Sequence, residues 1–211
     1  MEINFAAVYQ KQLENTYHRP ENIGAVITMT IFLKELHDHY GFGRRRFKSI
    51  LEQMEKIINE NWYITKAQVD EIVDVRGFDD RLYRDYMQRI SKTLDVDDTY
   101  KRIIGKEPIR GGKQREAFLE AAEVGYKGIM LILAKYSGFG KKRITDLQQY
   151  VKEDMWNILE GRVKIIEFMA MLHKSCAQKF GALNDWLKKY GKVYRDDGLP
   201  LRPHEIMYSN E

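Results

Sequence analysis

The chain has 211 residues, 44% of them hydrophobic and 31% charged, with 35 Lys and Arg against 31 Asp and Glu for a net charge of +4. That apolar share excludes a disordered polymer and suits one large domain or two small ones around a buried core. The slight excess of bases permits an acidic partner without demanding one. The single cysteine, Cys176, excludes an internal disulfide and points to a reducing compartment. The longest apolar runs, near Val26–Leu33 and Ile129–Ala134, are too short to cross a bilayer. The first residues turn acidic and polar too early for a signal peptide, so the expected setting is soluble and cytoplasmic.

There are four prolines, and helical spacing dominates the long stretches between them. The first helix is expected from about Glu21 to Tyr40, burying Val26, Ile27, Thr30, Leu33 and Leu36. The second runs from about Arg44 to Asn61, with Phe47, Ile50, Leu51, Met54, Ile57 and Ile58 on one face. Thr65 with Gln68 reads as a capping box opening a third helix, stopped by Gly77. Asp79 or Asp80 caps a fourth, in which Leu82, Tyr86, Ile90 and Leu94 share a side. A short helix closed by Gly105 follows.

The segment 105–113, GKEPIRGGK, reads as a basic linker between an N-terminal part (1–104) and a C-terminal part (114–192). Later helices are expected at about Gln114–Ser137, Lys141–Leu159 and Arg162–Phe180. A last short one carries Leu183, Trp186 and Leu187, and residues 193–211 form an irregular tail. The fold class is therefore all-α, with eight or nine helices.

One stretch is written twice. Gly41-Phe42-Gly43 is followed by Arg44, Arg45 and Arg46, and Gly138-Phe139-Gly140 by Lys141, Lys142 and Arg143, 97 positions later. Leu36 matches Leu133, Phe47 matches Ile144 and Ile50 matches Leu147 at the same offset. This pattern predicts an internally duplicated helix–turn–helix unit, the two copies sharing one core as a pseudo-two-fold pair.

Chain reversal accounts for the glycines. A glycine just past a helix adopts the left-handed conformation, and the apolar residue after it packs back one turn, here Phe42 on Leu36 and Phe139 on Leu133. The bases need a further reason. A helix start is electropositive and prefers acids by about 0.3–1 kcal/mol per group, yet both helices open with three cations. Glu35 and Asp38 are available to compensate the first cluster, whereas Ile132 and Lys135 stand at the matching positions of the second. An external anion at the free amides would serve both.

These turns resemble the helix-hairpin-helix DNA-binding motif, which carries a Gly-hydrophobic-Gly hairpin followed by Lys or Arg at a helix start. The resemblance covers about a dozen residues per copy; paired motifs in that family lie closer together in sequence and on shorter helices. It implies phosphate contact without sequence readout, through the amides of Gly41, Gly43, Gly138 and Gly140 and the charges of Arg44, Arg45, Lys141 and Lys142. The stretch LHDHYGFGRRRFKSIL also looks like segments of small phage and prophage proteins of Gram-positive bacteria. That implies a mobile-element setting, in which nucleic-acid handling and inhibition of host defence enzymes, as by anti-CRISPR proteins, are common tasks.

Other sites are weaker. The linker fails as a phosphate loop, because its glycine spacing is wrong and Gln114 stands where Ser or Thr would hold magnesium. Its bases, Lys101, Arg102, Lys106, Arg110, Lys113 and Arg115, offer a third phosphate-contacting patch. His37 and His39 point to different faces of a helix, and His18, His173 and His204 are isolated, so no metal site is expected. Cys176 reads as a small core residue, with His173 on the same face. Tyr83, Tyr86, Tyr100, Trp156 and Trp186 read first as packing residues. The expectation is a binding protein with no catalytic machinery and no cofactor. It would meet nucleic acid through Gly41, Gly43, Arg44, Arg45, Arg46, Lys48, Gly138, Gly140, Lys141, Lys142 and Arg143, with Lys106, Arg110, Lys113 and Arg115 from the linker. A partner with an acidic protein surface, such as a nucleoprotein complex or a nucleic-acid-processing enzyme, is the alternative; a purely structural helical component is the second.

Overall fold

The computed structural model describes residues 17–60, 77–106 and 109–193, with backbone alone for residues 21 and 54–60. Among the described residues there are eight helices and no strand. They are α1 (Pro20–Tyr40), α2 (Arg44–Glu60), α3 (Asp80–Val96), α4 (Thr99–Ile104), α5 (Gly112–Tyr136), α6 (Lys141–Leu159), α7 (Ile165–Cys176) and α8 (Gly181–Tyr190). The expected Thr65–Gln68 box and the 193–211 tail, apart from residue 193, lie outside the described residues, as do the side chains of Met54, Ile57 and Ile58.

The architecture rests on α1 and α5. They run parallel and nearly in register. Gly24 lies against the backbone of Phe118 and Ala122, and Gly125 against Thr28 and Ala25. The Phe32 and Tyr126 rings meet edge to face at 4.9 Å, and at the far end Tyr40 reaches Phe139 at 4.9 Å. The stripe predicted for α1 is buried, with Ile23, Ile31 and Phe32 as well, and Phe118, Ala122, Ile129 and Leu133 are buried on α5. One core thus draws on both sides of the linker. α2 packs on α5, while α6 and α7 pack on α1 and α3 lies on α6 and α5.

Polar side chains fix the outer helices. Asp79 Oδ1 accepts from the Arg81 and Leu82 amides at 2.8 and 3.3 Å and so caps α3. The buried Gln148 amide of α6 grips the Asp79 backbone, accepting from its N–H at 2.7 Å and donating to its carbonyl at 3.1 Å. The same Nε2 donates to the Tyr126 hydroxyl at 3.0 Å. Replacing Asp79 by Ala removes the cap and leaves the Gln148 clamp, so a loss of about 1 kcal/mol is expected, mostly restored by Asn. It reads out as a lower urea midpoint at unchanged slope; an unmoved midpoint would mean the cap contributes nothing.

Two boundaries differ from expectation. α5 begins at Gly112, two positions before the expected start, which places Lys113 on the helix rather than in the linker. α7 spans Ile165–Cys176 instead of Arg162–Phe180. At its start the Lys164 N–H donates to Glu167 and the Ile165 N–H to Asp97 Oδ2, a side chain from the α3–α4 corner. At its end Ala177 takes the left-handed conformation, φ 53°. No described helix is long and apolar enough to cross a membrane.

Candidate functional site

Both Gly-Phe-Gly turns form as their residues require. Gly41 and Gly138 adopt φ 62° and 63°, left-handed values that suit glycine. The Phe42 N–H donates to the Leu36 carbonyl at 3.1 Å, and the Phe139 N–H to Leu133 at 3.0 Å. Each of these bonds spans six positions and closes the helix end around its left-handed glycine. Gly43 and Gly140 then accept the first helical bonds, from Phe47 and Ile144. Phe42 and Phe139 are buried.

Because α1 and α5 are parallel and in register, the two turns come together. The Phe42 and Phe139 rings meet edge to face at 6.0 Å, and the Tyr40 hydroxyl donates across to the Arg143 carbonyl at 3.2 Å. Burial, with Asp146 and Tyr150 nearby, pushes the Tyr40 phenol up to about 12, so it stays a neutral donor at ordinary pH. The two basic helix starts thus occupy one end of the molecule.

Arg44, Arg45, Arg46, Lys141, Lys142 and Arg143 are all exposed. None makes an ion pair with a carboxylate among the described residues, and neither helix has an acid in its first turn. The expected compensation of the first cluster by Glu35 and Asp38 does not occur. Glu35 is buried on the other side of α1, paired with Lys34 at 2.6 Å and His39 at 3.1 Å, and Asp38 also turns to Lys34. Lys48, on α2, is drawn to Glu52 at 3.6 Å.

Arg46 and Arg143 differ from their neighbours. Each guanidinium lies over the phenylalanine of its own turn, Arg46 5.0 Å from the Phe42 centroid and Arg143 4.9 Å from Phe139. Each also donates to a backbone carbonyl at the helix end before it, Arg46 to Tyr40 and Arg143 to Gly138. Stacking and one hydrogen bond hold each group in place and leave most of its five donors unused by the protein. Both line a cleft of about 410 Å³ between the turns, with Ser49 and Gln53 of α2 and Tyr136 at the end of α5.

The linker bases are not part of this site. Arg110, Lys113 and Arg115 sit at the start of α5, the opposite end of a 25-residue helix, roughly 35 Å away at 1.5 Å per residue. Arg115 there donates to Ser91 Oγ at 2.9 Å. Lys106 is exposed after the left-handed Gly105 that closes α4. The two turn clusters therefore form one patch, and the linker bases form a separate one at the other end of α5.

Three of the five aromatics and the thiol are buried in the core, as expected. Tyr86, Tyr100 and Trp186 are core residues, Tyr83 bonds Glu123, and Trp156 lies under Arg89. The aromatic ring presented at the turns is Tyr136, 62% exposed and not singled out in the sequence. His173 does not share a site with Cys176, since its Nδ1 bonds the Gln178 carbonyl. Cys176 instead faces His37 Nδ1 at 3.4 Å, and burial pushes its thiol up, which suits an unreactive core thiol. No cluster of three His, Cys, Asp or Glu is placed to hold a metal among the described residues.

Sequence reasoning missed the cleft because Ser49, Gln53 and Tyr136 have no motif of their own. The signal that would have found it is the offset of 97, at which α1 and α5 pair and bring the two Gly-Phe-Gly turns beside each other. No protein-family model, no curated protein and no solved structure matches the chain.

Proposed function

We propose that the protein is a non-enzymatic binding protein that meets the phosphate backbone of nucleic acid at the end formed by the two Gly-Phe-Gly turns, without strong sequence readout. The observation that carries this reading is the convergence of six exposed cations and two uncapped helix starts on one surface, with no described carboxylate paired to any of them. Cations at a helix start oppose the helix dipole, and a phosphate docked there reverses the sign of that interaction. The matched turns come from a doubled ancestral unit, and a mobile-element origin would supply the setting.

The test is a salt titration. Affinity should fall linearly on a log–log plot, by about 0.9 in slope per phosphate neutralised. Changing Arg44, Arg45, Lys141 and Lys142 together to Ala should flatten that slope by about 3–4, with the circular dichroism unchanged. If duplex, single strand and RNA all fail to bind in low salt, the reading is abandoned.

A second reading keeps the surface and changes the partner to the acidic face of a nucleic-acid-processing enzyme, as an anti-CRISPR-like inhibitor would. The near balance of 35 bases and 31 acids favours it, because the field is local rather than molecule-wide. A nuclease-treated pull-down that returns one stoichiometric protein, together with no affinity for nucleic acid, would replace the first reading by this one.

A further inference from the structure

We propose that the cleft between the two turns receives one unstacked nucleotide of a single strand, its base against the Tyr136 ring and its phosphate on Arg46 and Arg143. The inference rests on the phosphate-contact reading of the turns and adds what that reading does not contain, a preference for strands whose bases are free.

Four observations carry it. First, the volume is right: about 410 Å³ falls at the small-ligand end of ordinary binding sites, roughly 300–1,000 Å³. Second, the two arginines of the cleft are pre-set. Each lies on a phenylalanine face and is tied by one hydrogen bond, so little side-chain freedom remains to be lost when an anion arrives. Arg44, Arg45, Lys141 and Lys142 have no such restraint among the described residues. Third, Tyr136 is a large aromatic side chain left 62% exposed at the rim, next to the buried Phe139. An exposed ring beside fixed guanidinium groups is what base stacking on a single strand uses, and every base offers a face to it. Fourth, Ser49 and Gln53 line the same space with a hydroxyl and an amide, groups that hydrogen-bond base edges. A duplex keeps its bases stacked inside and reaches only the outer charges; an acidic peptide would use the arginines and leave the ring idle.

The experiment compares three labelled probes of about 12 nucleotides in one buffer: a thymidine strand, an abasic strand with the same number of phosphates, and a duplex. The thymidine strand should bind roughly five- to a hundredfold tighter than the abasic one, the range that one stacked base contributes. Tyr136→Ala should erase that gap and leave duplex binding unchanged. Tyr136→Phe should keep it, which separates stacking from damage to the fold. Equal binding of thymidine and abasic strands by the native protein, or a gap that survives Tyr136→Ala, overturns the base site while the outer cations keep their role. Failure of all three probes to bind overturns the phosphate reading, and the base site with it.

Discussion

Replacing Gly24 with Ala destabilises the protein by about 2–4 kcal/mol, although alanine is the better helix former. A Cβ at position 24 would stand 2.0 Å from the Phe118 carbonyl oxygen and 3.1 Å from the Ala122 nitrogen. Both are backbone atoms of α5 and cannot rotate away. The two helices would have to separate by more than an ångström, against a core packed along their whole length. Gly125 on the facing helix is the control. A Cβ there meets Thr28 and Ala25 at 3.5–3.6 Å, ordinary contact, so Gly125→Ala should be neutral or gain up to about 1 kcal/mol from lost chain entropy. Urea denaturation of the two variants decides it. Equal stabilities would mean that α1 and α5 do not approach so closely, and the convergence of the turns would lose its cause. Because the turns lie at the end of this pair, Gly24→Ala should also weaken any ligand held by both.

The second large effect is a dependence of stability on pH set by Glu35. Its carboxyl is buried on α1 and lies against Asp154 of α6, also buried, with Lys34 reaching both at 2.6 and 2.9 Å. His39 closes the other side, stacked on Tyr150 of α6, and Phe168 of α7 lies under the Lys34 ammonium. Burial first and Asp154 second push Glu35 up to about 8, against the attraction of Lys34. Burial works against the charge of Lys34, but its hydrogen bonds to the two carboxyls hold it up. One ammonium therefore faces two buried carboxyls, and Glu35 keeps its proton well above the usual carboxylate range.

In the unfolded chain Glu35 loses that proton near the ordinary 4.5. Between about 4.5 and 8 the folded protein binds more protons than the unfolded one. Stability is therefore full below this window and falls as pH rises through it, by at most about 1.4 kcal/mol per pH unit. Asp97 and Glu167, also pushed up by burial, tilt the background the same way. Glu35→Gln isolates the contribution: its melting temperature should fall less than the native protein's between pH 5 and pH 8. Asp154→Asn should act likewise, by letting Glu35 ionise against Lys34 alone. Native and Glu35→Gln curves that run parallel would mean that Glu35 holds no proton in this window.

Helix identity was legible wherever a repeating apolar face met punctuation at both ends. α6 runs over Lys141–Leu159 as its glycine start and its stripe predict. α7 was misread at both ends for tertiary reasons. Its start is fixed by Asp97, a partner 68 positions earlier, and its end by a left-handed alanine that carries no turn signal. The basic turns were visible as a repeated string. Their meeting was only implicit in the offset of 97, because it depends on α1 and α5 being parallel, which neither string encodes by itself. Glu35 was misassigned for a related reason: chain proximity pointed it at Arg44–Arg46, whereas Lys34 and Asp154 turn it inward.

The parallel pairing of α1 with α5 also bears on how the chain reaches its native state. Its main partners are about a hundred positions apart in sequence, so the central contact closes a long loop before it yields any burial, and folding should be slow for a helical protein of this size. During synthesis α1 leaves the ribosome with Ile23, Ile31, Phe32 and Leu36 ready to be covered, and its cover is not made until α5 follows. Over that interval the nascent chain displays an adhesive apolar helix, a natural client for a chaperone.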